Sequence, residues 1–534
     1  MSTLSIAVRN GWLVDGSGAP RRKADVGIAG DRIVRVGTVP AADLEIDAAG
    51  LIVAPGFVDP HSHSDWSLHS NREAESVIRQ GVTTEVVGNC GITNAPVSES
   101  SAPTVASRLR AYAYDGQVSW RSFGEYMDDV EQGGTARNLA FLVGHSTLRE
   151  AAGVSGSAAT ADQISMLGDL LREALEAGAL GMSSGLEYGA GAGASTMELQ
   201  ALVDIVGRYG GIYASHIRNR DAGILDAVGE FIDLVQHGNA AGQISHLNVR
   251  HDTNAPEHGW ERAVDLMVSA REQGFDIQAD ATPFRQGLGV MTGLLPSWVL
   301  AEGSAAAATM LRNRDVRDRL RADCDRYWRF VAKGQWDRVR LGNSREFADL
   351  NGLTFVEIAK LRDQDSWDAY FDLMSAAGDA MGDLLMVGDL FTEEHLAQTI
   401  AHPLFSLGVD AFASVDHGPL GEISANPLCY RGHVEYLAHH VREKRTLKLE
   451  EAIRKMSSMP ARRFALSGRG LVREGYFADL VLFDAEAVRS ASTFARAAVY
   501  PEGISVVVVN GVVAVQDGRR CGTRSGRLLR RPRG

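Results

Sequence analysis

Cysteine is scarce in this chain: four stand in 534 residues, Cys90, Cys324, Cys429 and Cys521. That supply builds no disulfide scaffold, so a reduced, cytoplasmic setting is expected. Long apolar runs are missing too. The N-terminal stretch MSTLSIAVRNGWLVDG lacks the apolar core of a secretion signal. No segment is long and uncharged enough to cross a membrane. The most apolar late run, Ile504 to Val515, is broken by the hairpin signal Asn510-Gly511. Positive charge is in deficit: 54 Lys and Arg against 67 Asp and Glu leave a net charge of -13, which argues against a large nucleic-acid surface. A dinucleotide glycine fingerprint and a Gly-Lys-Ser/Thr phosphate loop are both absent. These absences leave a small molecule as the expected partner, with no nucleic acid and no membrane, and leave open whether the chain forms a homo-oligomer.

Period and turn chemistry divide the chain. Residues 4 to 55 alternate short apolar runs with Gly and Asp bends, and the same texture returns in YFADLVLFD and ISVVVVNGVVAVQDG. Pairing the two ends would bury both apolar faces in one small β-sandwich-like domain. Between them, eight short β-like runs alternate with amphipathic helical stretches: Phe57-Val58, TTEVVGN, NLAFLVGH, ALGMSS, GIYASH, AGQISH, FDIQAD and LFSLGVD. Eight βα units predict an α/β fold, a (β/α)8 TIM-type barrel with its functional residues at the C-terminal strand ends. The seventh and eighth runs stand far apart, so a mostly helical insertion, a lid by its position, is expected between them. The predicted division is 1–56 and 466–534 for the two parts of the β domain, 57–284 for strands 1–7, 285–395 for the insertion, and 396–465 for strand 8 and the closing helices. The stretch 447–466 reads as a helix leading back to the β domain.

Metal-type side chains stand at the ends of these runs. His61 and His63, in PGFVDPHSHSD, are two apart and share one face at a strand end. Asp65 is placed to orient one of them. Cys90 closes TTEVVGNCG, where a thiol either packs as a small hydrophobe or ligates zinc. His216 and His246 are thirty residues apart, about one βα unit, and belong to neighbouring strands. Asp410 ends the last run, which barrel closure sets beside the first; Asp416 and His417 are its close rivals, and Asp280 takes a supporting role. Zinc at such a centre lowers the pKa of bound water toward ~7 and polarises a carbonyl. Asp410, as general base and then acid, would move a proton from that water to a leaving nitrogen, a step worth ~10²–10⁴ in rate. Hydrolysis of an amide C–N bond suits the combination, and deamination and ester hydrolysis use the same parts. The loop GMSSGLEYGAGAGA carries Ser183, Ser184, Glu187 and Tyr188, with glycines that permit close backbone approach. His145 and Arg149, past the third run, are candidates for substrate contact, with pairing of the arginine to nearby acids as the alternative.

Together PGFVDPHSHSD, VVGNCG, VGHSTLR, GMSSGLEY, YASHIRN, QISHLN and EAIRKMSSMPARRFAL resemble the N-acyl-D-amino-acid deacylases, or D-aminoacylases, of the metal-dependent amidohydrolase superfamily. The resemblance spans nearly the whole chain. It implies that Cys90, His216 and His246 hold one tightly bound zinc, that His61 and His63 contribute to a second, weaker divalent site, and that Asp410 is both ligand and catalytic acid/base. Tyr188 matches a tyrosine of the family's substrate pocket. Other positions depart from the pattern. Asn248 stands where the family usually has Lys, and Asp280-Ala281-Thr282-Pro283-Phe284 where it has Asp-x-Tyr-Pro-Tyr; that Lys and Tyr help hold the substrate carboxylate. Val409 replaces a Ser, and Asn426-Pro427-Leu428-Cys429-Tyr430-Arg431-Gly432 replaces a His-Pro-Arg-x-Tyr-Gly segment. The candidate substrate residues are therefore Tyr188, Asn248, Arg250, Thr282, His145, Ser184 and Arg431, with Arg250 or Arg431 restoring the lost charge. The alternative is a substrate without a carboxylate: a neutral amide, a lactam or other cyclic amide, or an N-carbamoyl compound.

Overall fold

The computed structural model describes residues 4–154, 157–323, 327–342, 344–522 and 524–531; Cys324 and the outermost residues of the predicted end segments, 1–3 and 532–534, fall outside them. Each of the eight runs forms a strand: β1 Phe57–Asp59, β2 Val82–Val87, β3 Asn138–Gly144, β4 Gly181–Gly185, β5 Ile212–His216, β6 Ala241–Ile244, β7 Ile277–Ala281 and β8 Phe405–Leu407. They pair in chain order, all in parallel. β2 to β5 are buried at every position, because helices cover the outside and side chains fill the middle. The ring closes just past the strand ends. The Asp410 amide donates to the His61 carbonyl at 2.9 Å and the His63 amide to the Ala411 carbonyl at 2.8 Å, with Ser62 and Ala411 in parallel register. The end of β8 therefore lies against the segment that carries both histidines of the first strand.

Amphipathic helices fill the connections. Ala161–Ala177 starts at Thr160, whose hydroxyl accepts from the Gln163 amide while the Gln163 side chain accepts from the Thr160 amide. It stops at Gly178, at φ 112°, a left-handed turn that a side chain would strain. The predicted helix over 447–466 is instead two, Leu449–Met456 and Ser458–Arg463. Pro460 explains the break: its ring clashes with the carbonyl four residues back, that of Met456.

Strands from both chain ends share a seven-stranded sheet, joined where Ile52–Pro55 pairs antiparallel with Leu480–Phe483. A four-stranded sheet of Leu4–Arg9, Asp25–Ala29, Arg32–Gly37 and Ala42–Asp47 packs on it through Ile6, Val26, Ile28, Val53, Leu480 and Val508. The final described residues run along the barrel, with the Leu529 amide on the Leu139 carbonyl at 2.7 Å and the Arg531 amide on that of Gly178 at 2.9 Å.

The insertion between β7 and β8 is mostly helical, and it also carries a three-stranded antiparallel sheet. Leu385–Asp389 lies in its centre, between Gln286–Val290 and Val339–Leu341. Two glycines of this sheet receive Trp328: a Cβ at Gly289 or at Gly388 would stand 2.6 Å from its indole ring. Among the described residues no helix is long and apolar enough to cross a membrane.

Candidate metal centre

The barrel's C-terminal mouth gathers the six ligand candidates His61, His63, Cys90, His216, His246 and Asp410. His61, His63, Cys90 and Asp410 have ligand atoms within 4.8 Å of one another, as do Cys90, His216 and His246, and all are buried. Cys90 belongs to both groups, and its Sγ lies 3.2 Å from Nε2 of His61 and 3.4 Å from Nε2 of His246. Tetrahedral zinc with ligands at about 2.0–2.3 Å sets neighbouring donors roughly 3.3–3.8 Å apart, so the donor set fits the ion in spacing as well as in chemistry. A thiolate shared between two groups of imidazoles, one of them with a carboxylate, makes this a binuclear metal-binding site.

Local backbone shapes the mouth. Cys90, His246 and Asp410 have φ of 53°, 36° and 56°, a left-handed conformation that costs a non-glycine residue about 1–3 kcal/mol. Hydrogen bonds pin these turns. The Ser183 hydroxyl accepts from the Gly91 amide at 2.9 Å and donates to the Gly88 carbonyl at 2.5 Å, bracketing Cys90. Asp280 accepts from the His246 amide at 2.8 Å and from Nδ1 of His61 at 3.1 Å. The latter contact leaves Nε2 of His61 turned toward the thiol, in keeping with the supporting role expected of Asp280.

The charges in the cluster reinforce one another. Burial opposes a Cys90 thiolate, yet the imidazoles of His61 and His246 and hydrogen bonds from His216 and His246 hold the thiol well below its usual range. Burial likewise works against a charged His63, but Asp410, at 3.1 Å, and Cys90 lift it to about 9. Asp410 is held below the ordinary carboxylate range: burial pushes it up, and His246, His63 and His61 more than reverse this. His246 is lowered to about 4 by burial and by the neighbouring Arg220.

His216 is oriented by a chain of charges. Its Nε2 donates to Glu187 at 2.8 Å. Arg250 donates from Nη1 to Glu187 and to Asp221, each at 2.9 Å, and from Nη2 to Glu187 again. Both carboxylates are buried with the guanidinium, so the charge of Arg250 is already answered. Nδ1 of His216 is left for the cavity, 3.4 Å from the Tyr188 hydroxyl.

The cavity over the cluster is narrow, about 30 Å³, and its wall includes Tyr188, Trp66 and Ile92 with Leu288, Val290, Tyr327 and Leu385 of the insertion. Trp66 stacks on His63 with ring centroids 4.1 Å apart. Tyr327 lies under the Arg250 guanidinium at 4.9 Å. Sequence reasoning missed Trp66, Tyr327, Arg220 and Asp221. The HSHSDW run hinted at Trp66, while nothing local marks the other three.

The remaining candidates are placed as follows. Asn248 and Thr282 are buried, and neither amide atom of Asn248 nor the Thr282 hydroxyl has a hydrogen-bond partner. Ser184 bonds Tyr213 and Ser215 at 2.7 and 2.9 Å. His145 meets Glu198 at 2.8 Å, and Arg149 donates to the same carboxylate at 2.6 Å. Arg431 donates to the Ser492 carbonyl and to Glu435, each at 3.3 Å. Of the predicted substrate residues Tyr188 lines the cavity, while Asn248, Arg250, Thr282, Ser184, His145 and Arg431 are not part of its wall. Asp65 touches the Gly88 amide rather than either imidazole, and Asp416 and His417 pair with each other at the surface.

The chain matches the model of the Amidohydrolase family over residues 44–211 and 420–515. It is 31% identical over 529 residues to the D-aminoacylase of Alcaligenes xylosoxydans xylosoxydans, covering 98% of this chain and 97% of the relative. Among solved structures it superposes with a TM-score of 0.81, at 28% identity and over 99% of this chain and 100% of the other, on a D-aminoacylase studied for its binuclear metal centre, with one-metal activation and second-metal attenuation. A TM-score of 0.80, at 28% identity and the same coverages, relates it to an N-acyl-D-glutamate deacylase from Bordetella bronchiseptica complexed with zinc and a phosphonate that mimics the tetrahedral intermediate. With barrel, metal cluster and full-length similarity in agreement, the chain belongs to the D-aminoacylase, or N-acyl-D-amino-acid deacylase, family of the metal-dependent amidohydrolases.

Proposed function

We propose that the protein hydrolyses the amide bond of an N-acyl-D-amino acid or a close analogue, releasing a carboxylate and a free amine. The observation that carries this reading is the convergence of Cys90, four histidines and Asp410 on one buried point at the barrel mouth. In this reading Cys90, His216 and His246 hold the tightly bound zinc, and His61, His63 and Asp410 complete a second, weaker site. Zinc there supplies Lewis acidity, polarising the acyl carbonyl and making water ionise near neutral pH. Asp410 is ionised, because its neighbours hold its pKa down, so it is ready to take a proton from the attacking water. It then delivers that proton to the departing nitrogen, which leaves poorly as an anion. Tyr188, beside His216, lines the substrate space, and Trp66 with the insertion's apolar side chains shuts out water around the acyl group. A cytoplasmic setting suits this chemistry, since a reducing milieu keeps Cys90 a free thiolate.

A carboxylate-free amide, cyclic amide or N-carbamoyl compound is the second reading. It is favoured by the neutral, unpartnered side chains of Asn248 and Thr282, at positions where the family resemblance implies Lys and Tyr. The test is turnover by zinc-loaded protein of a panel of N-acetyl D- and L-amino acids and their carboxamides. The first reading expects amine release from the D-acids, with a loss of roughly 10²–10⁴-fold or more in Asp410→Asn while the tightly bound zinc is retained. Turnover confined to the carboxamides or cyclic amides rejects it.

A further inference from the structure

We propose that Arg220 supplies the positive charge that receives the substrate carboxylate; this rests on the deacylase reading above and names its specificity residue. Arg220 lies on the connection after β5, is 4% exposed, and has an unusual set of contacts. Its Nη1 donates to Nδ1 of His246 and to the His246 carbonyl, each at 2.9 Å, and its Nε has no partner. No carboxylate of the described residues pairs with it; Glu187 and Asp410 act on it only through space. A guanidinium taken out of water without a counter-ion is strongly unfavourable, so its retention next to the reaction centre calls for an anion that arrives with the substrate.

The other candidate cations do not meet that description. Arg250 is neutralised by Glu187 and Asp221. Arg431 is turned to Ser492 and is paired with the Glu435 carboxylate. Arg220, by contrast, meets the backbone of Asn248 at one point, because the Asn248 main-chain N–H also donates to the His246 carbonyl, at 2.8 Å. The positive charge missing at position 248 is thus carried by a side chain from the preceding βα connection.

The tautomer of His246 sharpens the inference. Nδ1 can accept from Arg220 only while the ring proton sits on Nε2, which faces Cys90 at 3.4 Å. With Nε2 of His246 holding a divalent ion, the ring proton would sit on Nδ1 and face an Arg220 N–H, donor against donor. That N–H and the unpartnered Nε–H would then need another acceptor, and a carboxylate held in a bidentate fork is the acceptor a guanidinium suits best.

The experiment compares wild type with Arg220→Met and Arg220→Lys, using the best N-acetyl-D-amino acid of the panel and its carboxamide. It reads kcat and KM, zinc content, and calorimetric binding of the free D-amino acid against its amide. Loss of one partner of a desolvated charge pair predicts that the carboxylate-over-carboxamide ratio of kcat/KM falls by on the order of 10²-fold in Arg220→Met, mostly through KM. The Lys variant recovers part of the ratio, and zinc content is unchanged in both. Binding of the D-amino acid weakens in parallel while binding of its amide does not. Equal losses for both substrates, or loss of zinc, would show that Arg220 positions His246 instead, and the proposal falls. An unchanged ratio in both variants also overturns it. If wild type turns over no N-acetyl-D-amino acid, the deacylase reading fails by itself, and the binding arm still judges Arg220: no carboxylate-dependent binding overturns the inference.

Discussion

Glu187→Gln separates the orienting role of this carboxylate from a merely structural one. The substitution keeps the shape of the side chain and an oxygen for Nε2 of His216, 2.8 Å away, but removes the charge. Exchanging a charge-assisted hydrogen bond for a neutral one loses about 1–1.5 kcal/mol, roughly 5- to 13-fold in zinc affinity. Arg250, left with Asp221 as its only counter-ion among the described residues, no longer locks the side chain at 187, so the loss extends toward the ~100-fold ceiling for such outer partners. Affinity is read by competition against a chromophoric chelator at fixed pH, and stability by urea denaturation of metal-free protein. The control is Glu198→Gln, whose carboxylate is as buried and also pairs a histidine and an arginine, His145 and Arg149, but away from the cavity. Both variants lose stability, and only Glu187→Gln loosens zinc. Wild-type affinity in Glu187→Gln, or an equal loss in Glu198→Gln, would refute the proposed chain Asp221–Arg250–Glu187–His216.

Two further expectations follow from the site and its wall. With His63 raised to about 9, a second divalent ion has to displace its proton, so apparent affinity at that site climbs by roughly tenfold per pH unit up to about pH 9 and then levels; titrations at three pH values check this, and a flat profile contradicts it. The sign reverses for the metal-free fold. There the raised His63 adds stability in full below its ordinary value of 6.5, and this is lost as pH rises through 9. In the insertion, Gly289→Val drives a side chain into Trp328 and costs about 1–3 kcal/mol by overpacking; denaturation measures it, and kcat/KM falls as Tyr327 is displaced with its neighbour. An unchanged urea midpoint would show that this packing is looser than the structure implies.

The barrel was legible because each of its strands is an apolar run flanked by turn residues, and that pattern survives in one dimension. The three-stranded sheet of the insertion was not. QGLGV interleaves glycine with apolar residues, and its partner LMVGD stands nearly a hundred positions later, so neither segment announces the pairing. The break at Ser457 was readable in principle from Pro460, since the clash it causes is local.

What the sequence determined by itself was the identity of the donor atoms: a thiol, imidazoles and a carboxylate each closing a strand, which barrel closure has to bring to one mouth. What only the tertiary structure decided was how the charges around them are shared. Arg250 looked free and is held by Glu187, 63 positions away, and by Asp221, 29 away. Arg220 went unnoticed and stands against His246 without a counter-ion among the described residues. Ion pairing has no period along a chain. It depends on which side chains meet in a dry interior where solvent cannot answer them, and only the folded molecule shows which charges are already satisfied.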